Sequence, residues 1–335
     1  MDWLLIVALM MAIVFAFTNG VHDSSNAVAA LVATRVARPA QAVALAATFH
    51  IVGPILLGTA VANTVGGIVQ VGHKEVVAVV GAGLSSAVAW NLLTWWRGLP
   101  SSSSHALVGG LVGAAVFEAG GTAVRWGGLN GIFPIGVLGV LFVLAISPIL
   151  GFVAGLLLEL LAKRLLRRAR TSIETVIRRS EWVTGAALAF SHGANDASKA
   201  SGVITLLLLA HGEIHSFDVP VWVKLVAAMA LTAGTALGGW RIVRTVGSGI
   251  YRIRPLDGLI SQGGSAAIIF GSALVGGPVS TTHVVASSIA GVGSGRRWRH
   301  VRWAVMGEIL LAWVVTLPAS AILGAIALLA WRPFV

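Results

Sequence analysis

Phe17-Thr-Asn-Gly-Val-His-Asp-Ser-Ser-Asn-Ala-Val-Ala29 is a polar signature set inside an apolar stretch, and Phe190-Ser-His-Gly-Ala-Asn-Asp-Ala-Ser-Lys-Ala-Ser-Gly202 repeats its pattern. Five of the thirteen positions are identical: Phe, Gly, Asp, Ser and Ala. A second duplicated block follows each copy, Pro100-Ser-Ser-Ser-Ser-His105 and then Pro278-Val-Ser-Thr-Thr-His283. Asp23 precedes His105 by 82 residues and Asp196 precedes His283 by 87, so the two pairs keep a common spacing. One polar pattern written twice into two apolar halves is the sequence sign of a membrane transporter built from repeats.

The rest of the chain agrees with a membrane setting. Of its 335 residues, 57% are hydrophobic and 10% charged, where a soluble domain carries about 25% charged residues. Apolar runs recur that are long enough to cross a hydrocarbon core roughly 30 Å thick. The short alternating segments of a transmembrane β-barrel are absent, so the fold class is an all-α polytopic membrane protein. The N-terminal stretch lacks a basic n-region and carries the polar signature within its apolar run, which argues against a cleaved signal peptide. Cysteine is absent, which removes disulfides and Cys-ligated metals. The net charge of +11 does not point to nucleic acid: the basic residues fall in loops, as the positive-inside rule requires, and carry no nucleic-acid-binding motif.

Periodicity and breakers predict a helix over about 3–33 broken at the signature, a helix over about 40–70, and a hairpin over 76–118 turning at Arg97-Gly-Leu-Pro100. A long helix over about 130–162 completes a first repeat, residues 1–162. A basic linker over 163–181 holds Lys163, Arg164, Arg167, Arg168, Arg170, Arg178 and Arg179. The second repeat, 182–335, restates the order: about 182–210, 219–240, a hairpin over 257–294 turning near Gly276-Gly-Pro278, and about 303–331. Pro134, Pro148 and Pro318 are expected to kink the long helices. Placing the linker in the cytoplasm gathers Arg35, Arg38, Arg241, Arg244, Arg252, Arg254, Arg296, Arg297, Arg299 and Arg302 on the same side, most of the 23 Lys and Arg, and puts both termini outside. Each half then makes an odd number of crossings, so the second half runs inverted. The two repeats have inverted topology, with broken or re-entrant half-helices meeting at a midplane site.

Asp23 and Asp196 lead the chemistry. A carboxylate at membrane depth costs about 2.5–3.5 kcal/mol on insertion scales and marks ion or substrate pathways. A pair of helix N-caps would not explain why each Asp is set among Asn, His, Ser and Lys. Ser101, Ser102, Ser103 and Ser104, and then Ser280, Thr281 and Thr282, each follow a proline and precede an apolar helix. Free N–H groups, hydroxyls and a positive dipole end together make an oxyanion site. Two such ends would grip one tetrahedral anion from opposite sides. Lys199 either offsets a carboxylate or touches the anion. His22, His105, His192 and His283 are candidate proton carriers. Glu159 and Glu308 lie near helix ends, Glu75 and Asp257 open the two hairpins, and most of the twelve Trp residues read as interfacial anchors.

At Asn19-Gly-Val-His-Asp-Ser-Ser-Asn26, His192-Gly-Ala-Asn-Asp196 and the Ser/Thr-His blocks at 102–105 and 280–283, the chain resembles the inorganic phosphate transporter (PiT) family. The His-Asp form of the first copy, followed by Thr34-Arg35, looks like its bacterial low-affinity branch. The resemblance implies a homodimer of inverted repeats in the plasma membrane that takes up orthophosphate with H⁺ or Na⁺ and needs no cofactor. In that branch it implies proton coupling and metal–phosphate substrates. It puts Asp23, Asn26, Ser102, Ser103, Ser104, Asn195, Asp196, Lys199, Ser280, Thr281 and Thr282 at the substrate. Asn19, His22, Asp23 and Asp196 fall at the coupling cation. His22 stands where many members have Asn, and Ser198, Ala200 and Ser201 replace residues that are usually larger.

The expected function is secondary active uptake of inorganic phosphate. Sulfate, the substrate of permeases in the same family, is the nearest alternative. Phosphate near neutral pH can donate a hydrogen bond to a carboxylate and sulfate cannot, so two aspartates favour phosphate. An intramembrane hydrolase would need a single nucleophile on a strained turn, and the serines form clusters instead. A passive anion channel would not need midplane carboxylates beside broken helices.

Overall fold

The computed structural model describes residues 3–130, 133–170 and 172–334. The chain is almost wholly helical: α1 Trp3–Ala33, α2 Pro39–Leu56, α3 Ala60–Gly66, α4 His73–Arg97, α5 Ser103–Ala119, α6 Gly136–Leu165, α7 Ile173–Ala210, α8 Val221–Leu237, α9 Trp240–Arg244, α10 Pro255–Leu274, α11 Thr281–Arg297 and α12 Trp303–Trp331. A two-residue antiparallel pair, β1 Leu129–Asn130 and β2 Phe133–Pro134, lies ahead of α6. Among the described residues, five helices are long and apolar enough to cross a membrane. The pair α8 and α9, bent by 66° with a π-helical turn at Thr245–Gly249, counts as a sixth when taken as one broken span.

The helix pairings map onto themselves when α1 is exchanged with α7, α2 with α8, α4 with α10, α5 with α11 and α6 with α12. α1 packs on α8 and α4, while α7 packs on α2 and α10. α5 lies between α4 and α12, and α11 between α10 and α6. Each short helix thus rests on the long last helix of the other sequence half, so the halves interlock.

Glycine sets these contacts. A Cβ on Gly20 would run into the Leu231 carbonyl, and one on its counterpart Gly193 would run into the His50 backbone. Gly109 meets Ser320 and Leu317 of α12 in the same way, and Gly155 meets Ser288 of α11. Without a hydrophobic drive between helices in lipid, such small-residue approaches supply the packing. Leu138, Phe142, Ile149 and Leu157 on α6, with Leu311, Val314, Ile322 and Ile326 on α12, are exposed and present an apolar face suited to lipid. The polar side chains are buried in the middle.

Several boundaries differ from the sequence reading. α1 is one continuous helix through its signature, and α7 likewise. The hydroxyls of Thr18 and Ser24 return to the carbonyls of Phe15 and Val21, and His22, Asp23 and Asn26 find partners on other elements, so these groups do not draw the backbone open. α7 begins at Ile173, inside the stretch read as linker, and the helix expected over 40–70 is divided at 57–59. Pro148 and Pro318 lie inside α6 and α12, whereas Pro134 precedes α6 in β2. Both hairpins turn where expected. α4 is followed by Gly98 at φ 68° and α10 shortly by Gly276 at φ 76°, a left-handed backbone that favours glycine.

Candidate functional site

The half-helices α5 and α11 start at the tips of the two hairpins. Ser102 and Ser280 are their N-caps, each Oγ accepting a backbone N–H, from His105 at 3.2 Å and from His283 at 3.3 Å. The two starts face each other: the His105 and His283 rings lie 4.9 Å apart, and Ser104 Oγ donates to the Val279 carbonyl at 3.1 Å. Capping fixes both dipole ends toward the interior.

Asp23 and Asp196 sit at this junction, each 1% exposed. Asp23 accepts from Ser103 Oγ at 3.0 Å and from Thr282 Oγ1 at 3.0 Å, one hydroxyl from each half-helix. Asp196 accepts from Thr281 Oγ1 at 3.4 Å, so Thr281 holds for Asp196 the place that Ser103 holds for Asp23. Asn26 Nδ2 donates to Thr281 at 3.1 Å and to Thr282 at 3.0 Å. Lys199, which aligns with Asn26, makes the mirror contact to Ser104 Oγ at 2.6 Å. Its other two donors go to Asp196 Oδ1 at 2.5 Å and the Val279 carbonyl at 3.1 Å, so the ammonium is fully satisfied. The alternative left open for Lys199 thus falls to carboxylate pairing in this arrangement.

Two histidines flank the carboxylates. His22 Nδ1 is 2.6 Å from Asp23 Oδ1, and its Nε2 meets the hydroxyls of Thr94 at 3.2 Å and Ser101 at 3.1 Å. His192 Nε2 is 2.9 Å from Asp196 Oδ2. Its Nδ1 is 2.8 Å from His50 Nε2, and His50 Nδ1 is 3.3 Å from Thr235 Oγ1. Asp196, His192, His50 and Thr235 therefore form one buried chain. One donor atom each from Asp23, His192 and Asp196 lie within 4.8 Å of one another, a grouping able to hold a metal ion.

The structure joins His22, Asp23, Asn26, Ser103, Ser104, Asp196, Lys199, Thr281 and Thr282 in one buried polar cluster, while the other sequence-predicted residues differ in role. Ser102 and Ser280 spend their Oγ on caps. Asn195 ties the second tip down through the Gly277 carbonyl at 3.3 Å, while its Oδ1 is buried without a partner among the described residues. Both amide atoms of Asn19 are likewise buried and unpartnered among the described residues. His50 and Trp313 were missed. A lone histidine within the apolar span of α2 was the available signal for His50. Trp313, counted as an interfacial anchor, is buried, donates to the Pro100 carbonyl at 2.9 Å and stacks on His283 with ring centres 3.8 Å apart. Glu159, read as a helix-end group, is fully buried and pairs with Arg296 at 3.3 Å.

Compared with known proteins, the sequence matches the model of the phosphate transporter family over residues 19–324. It is 40% identical to a "Probable low-affinity inorganic phosphate transporter" of Bacillus subtilis (strain 168), over 98% of both chains. It is also 40% identical to one of the same description from Rhizobium meliloti (strain 1021), over 96% of this chain and 95% of that one. Among solved structures, "The sodium-dependent phosphate transporter" superposes with a TM-score of 0.87, at 22% identity and over 100% of each chain.

Proposed function

The chain belongs to the phosphate transporter family, and from that premise and the geometry of its site we propose that it imports inorganic phosphate by symport with a cation. The observation that carries this reading is the joining of two buried carboxylates to the hydroxyl-bearing starts of two facing half-helices. The half-helix ends suit a tetrahedral oxyanion. The carboxylates oppose it: at an effective dielectric of about 20, two unit charges about 4 Å apart repel by about 4 kcal/mol, close to a thousandfold in affinity. The anion binds well only when a cation or proton cancels that repulsion.

Lys199 supplies the linkage. With Asp196 ionised, the ammonium is held by it. A proton on Asp196 frees Lys199 to pair with the phosphate, so loading the proton prepares the anion site. The row His50, His192, Asp196 supports the proton as the coupling ion, because all three are groups that take up and release one, with the Thr235 hydroxyl at its end. Phosphate is favoured over sulfate because its own proton can be donated to Asp23. We carry with this reading a cytoplasmic 163–181 stretch, inverted repeats, termini outside and a homodimer.

Labelled-phosphate uptake into proteoliposomes with excess sulfate as competitor tests the reading. Uptake should persist in sulfate and be lost in both Asp23→Asn and Asp196→Asn. Full uptake by both variants would sink it. A second reading of the cargo, a neutral metal–phosphate complex, is favoured by the Asp23, His192 and Asp196 grouping. In that case a chelator abolishes uptake and added Mg²⁺ restores it; indifference to both leaves free phosphate as the cargo.

A further inference from the structure

A cavity of about 890 Å³ opens beyond the end of α1. Arg35, Arg244, Arg252, Arg254 and Arg302 line it together with His300, and no Asp or Glu among the described residues does. None of the five guanidiniums forms a close ion pair with a carboxylate among the described residues; Arg302 donates to the Gly249 carbonyl at 3.4 Å, and the Arg254 charge acts on Asp257 at longer range. Two buried acids hold the wall residues Arg254 and Thr34 from behind. Asp257 accepts the Arg254 backbone N–H at 2.9 Å and lies 3.4 Å from Arg296, and Glu181 takes the Thr34 hydroxyl at 2.8 Å.

The cavity lies close to the site along α1. Ala29 and Ala33 of α1 line it, with Gly247 of the π-helical turn set between them. Ala29 is three residues beyond Asn26, about 4.5 Å along the helix axis. Arg178 of α7 donates to the Arg35 carbonyl at 2.7 Å, which puts this mouth on the same face as the basic 163–181 stretch. The positive-inside rule accounts for arginines on that face. It does not account for five converging on one concavity, where like charges within about a Debye length of 8 Å reinforce one another. Arginine forks match phosphate oxygens bidentately.

We infer that this cavity is a second oxyanion site, taking orthophosphate on the release side, where phosphate already across the membrane slows the next turnover. The inference rests on the transport reading above. A lipid phosphate headgroup offers the same chemistry, so the test must separate the two sources.

The experiment uses oriented phosphatidylcholine proteoliposomes with this face lumenal, preloaded with increasing orthophosphate, and records initial uptake of labelled phosphate. In Arg244→Gln/Arg252→Gln the lumenal phosphate that halves uptake should rise about tenfold, while Arg244→Lys/Arg252→Lys, which keeps the charge, stays close to the unmodified chain. Identical inhibition curves for the unmodified chain and the Gln variant overturn the site. If the Gln variant does not fold, Arg252→Gln alone is read against Arg252→Lys by the same criterion. Adding phosphatidylglycerol separates the sources. A shift of the unmodified chain's curve toward that of the Gln variant makes the headgroup an occupant of the same site, and no shift leaves free phosphate as the ligand. Absence of saturable uptake into empty vesicles would instead remove the transport reading, a different failure.

Discussion

Asp196 lies between His192 at 2.9 Å and Lys199 at 2.5 Å, all three fully buried, so its charge state decides what Lys199 faces. Breaking a buried pair by removing one partner costs about 3–5 kcal/mol, while removing both is far milder. Lys199→Gln should therefore lower the melting temperature markedly, and adding Asp196→Asn should recover much of the loss. A double-mutant cycle by thermal unfolding checks this, and simple additivity would show that the two side chains do not act together. His50→Phe should leave the fold intact yet slow proton-driven uptake, as measured in vesicles with an inward proton gradient. Asp23, Asn26 and Asp196 were legible because a charge or amide inside an apolar run is costly unless it serves a site. Lys199 was legible as a residue but not as a pair, since offsetting a carboxylate and touching the anion were both open to it. His50 stood out only as a lone histidine in an apolar span, and its role was not legible because its partner His192 is 142 residues away.

At the scale of the element, the half-helices α5 and α11 were readable from Pro, hydroxyl cluster and apolar run, and both hairpin turns from Gly and Pro. The expected break in α1 was not met, because polarity inside a span does not open a helix when neighbouring elements satisfy it. The caps make a further prediction. Ser102→Ala and Ser280→Ala should each cost about 1 kcal/mol of stability, seen as a lower melting temperature, with weaker phosphate binding as the helix starts loosen. Gly193→Val should give no folded protein by size-exclusion chromatography, since any Cβ there meets the His50 backbone. A folded Gly193→Val would mean that α2 and α7 are free to separate.

Over the whole molecule, pseudo-symmetry places one ion pair at the far end of each half-helix. Arg296 of α11 meets Glu159 of α6 at 3.3 Å, and Glu118 of α5 meets Arg332, just past α12, at 3.3 Å with the charges exchanged. The duplicated order of elements was legible in the sequence. The interlocking was not, because nothing local says that α5 leans on α12 rather than on α6. The orientation drawn from charge has a direct check, since the chain has no cysteine. A single cysteine at Arg167 should react with an impermeant maleimide only after cells are opened, and labelling of intact cells would reverse the topology. The central claim, that phosphate binds productively only with a cation, is tested most directly by adding phosphate to lightly buffered proteoliposomes with no imposed gradient and following external pH. External pH should rise in step with labelled-phosphate uptake, and the rise should be lost in Lys199→Gln. Uptake at full rate with no proton movement and no dependence on Na⁺ would contradict it.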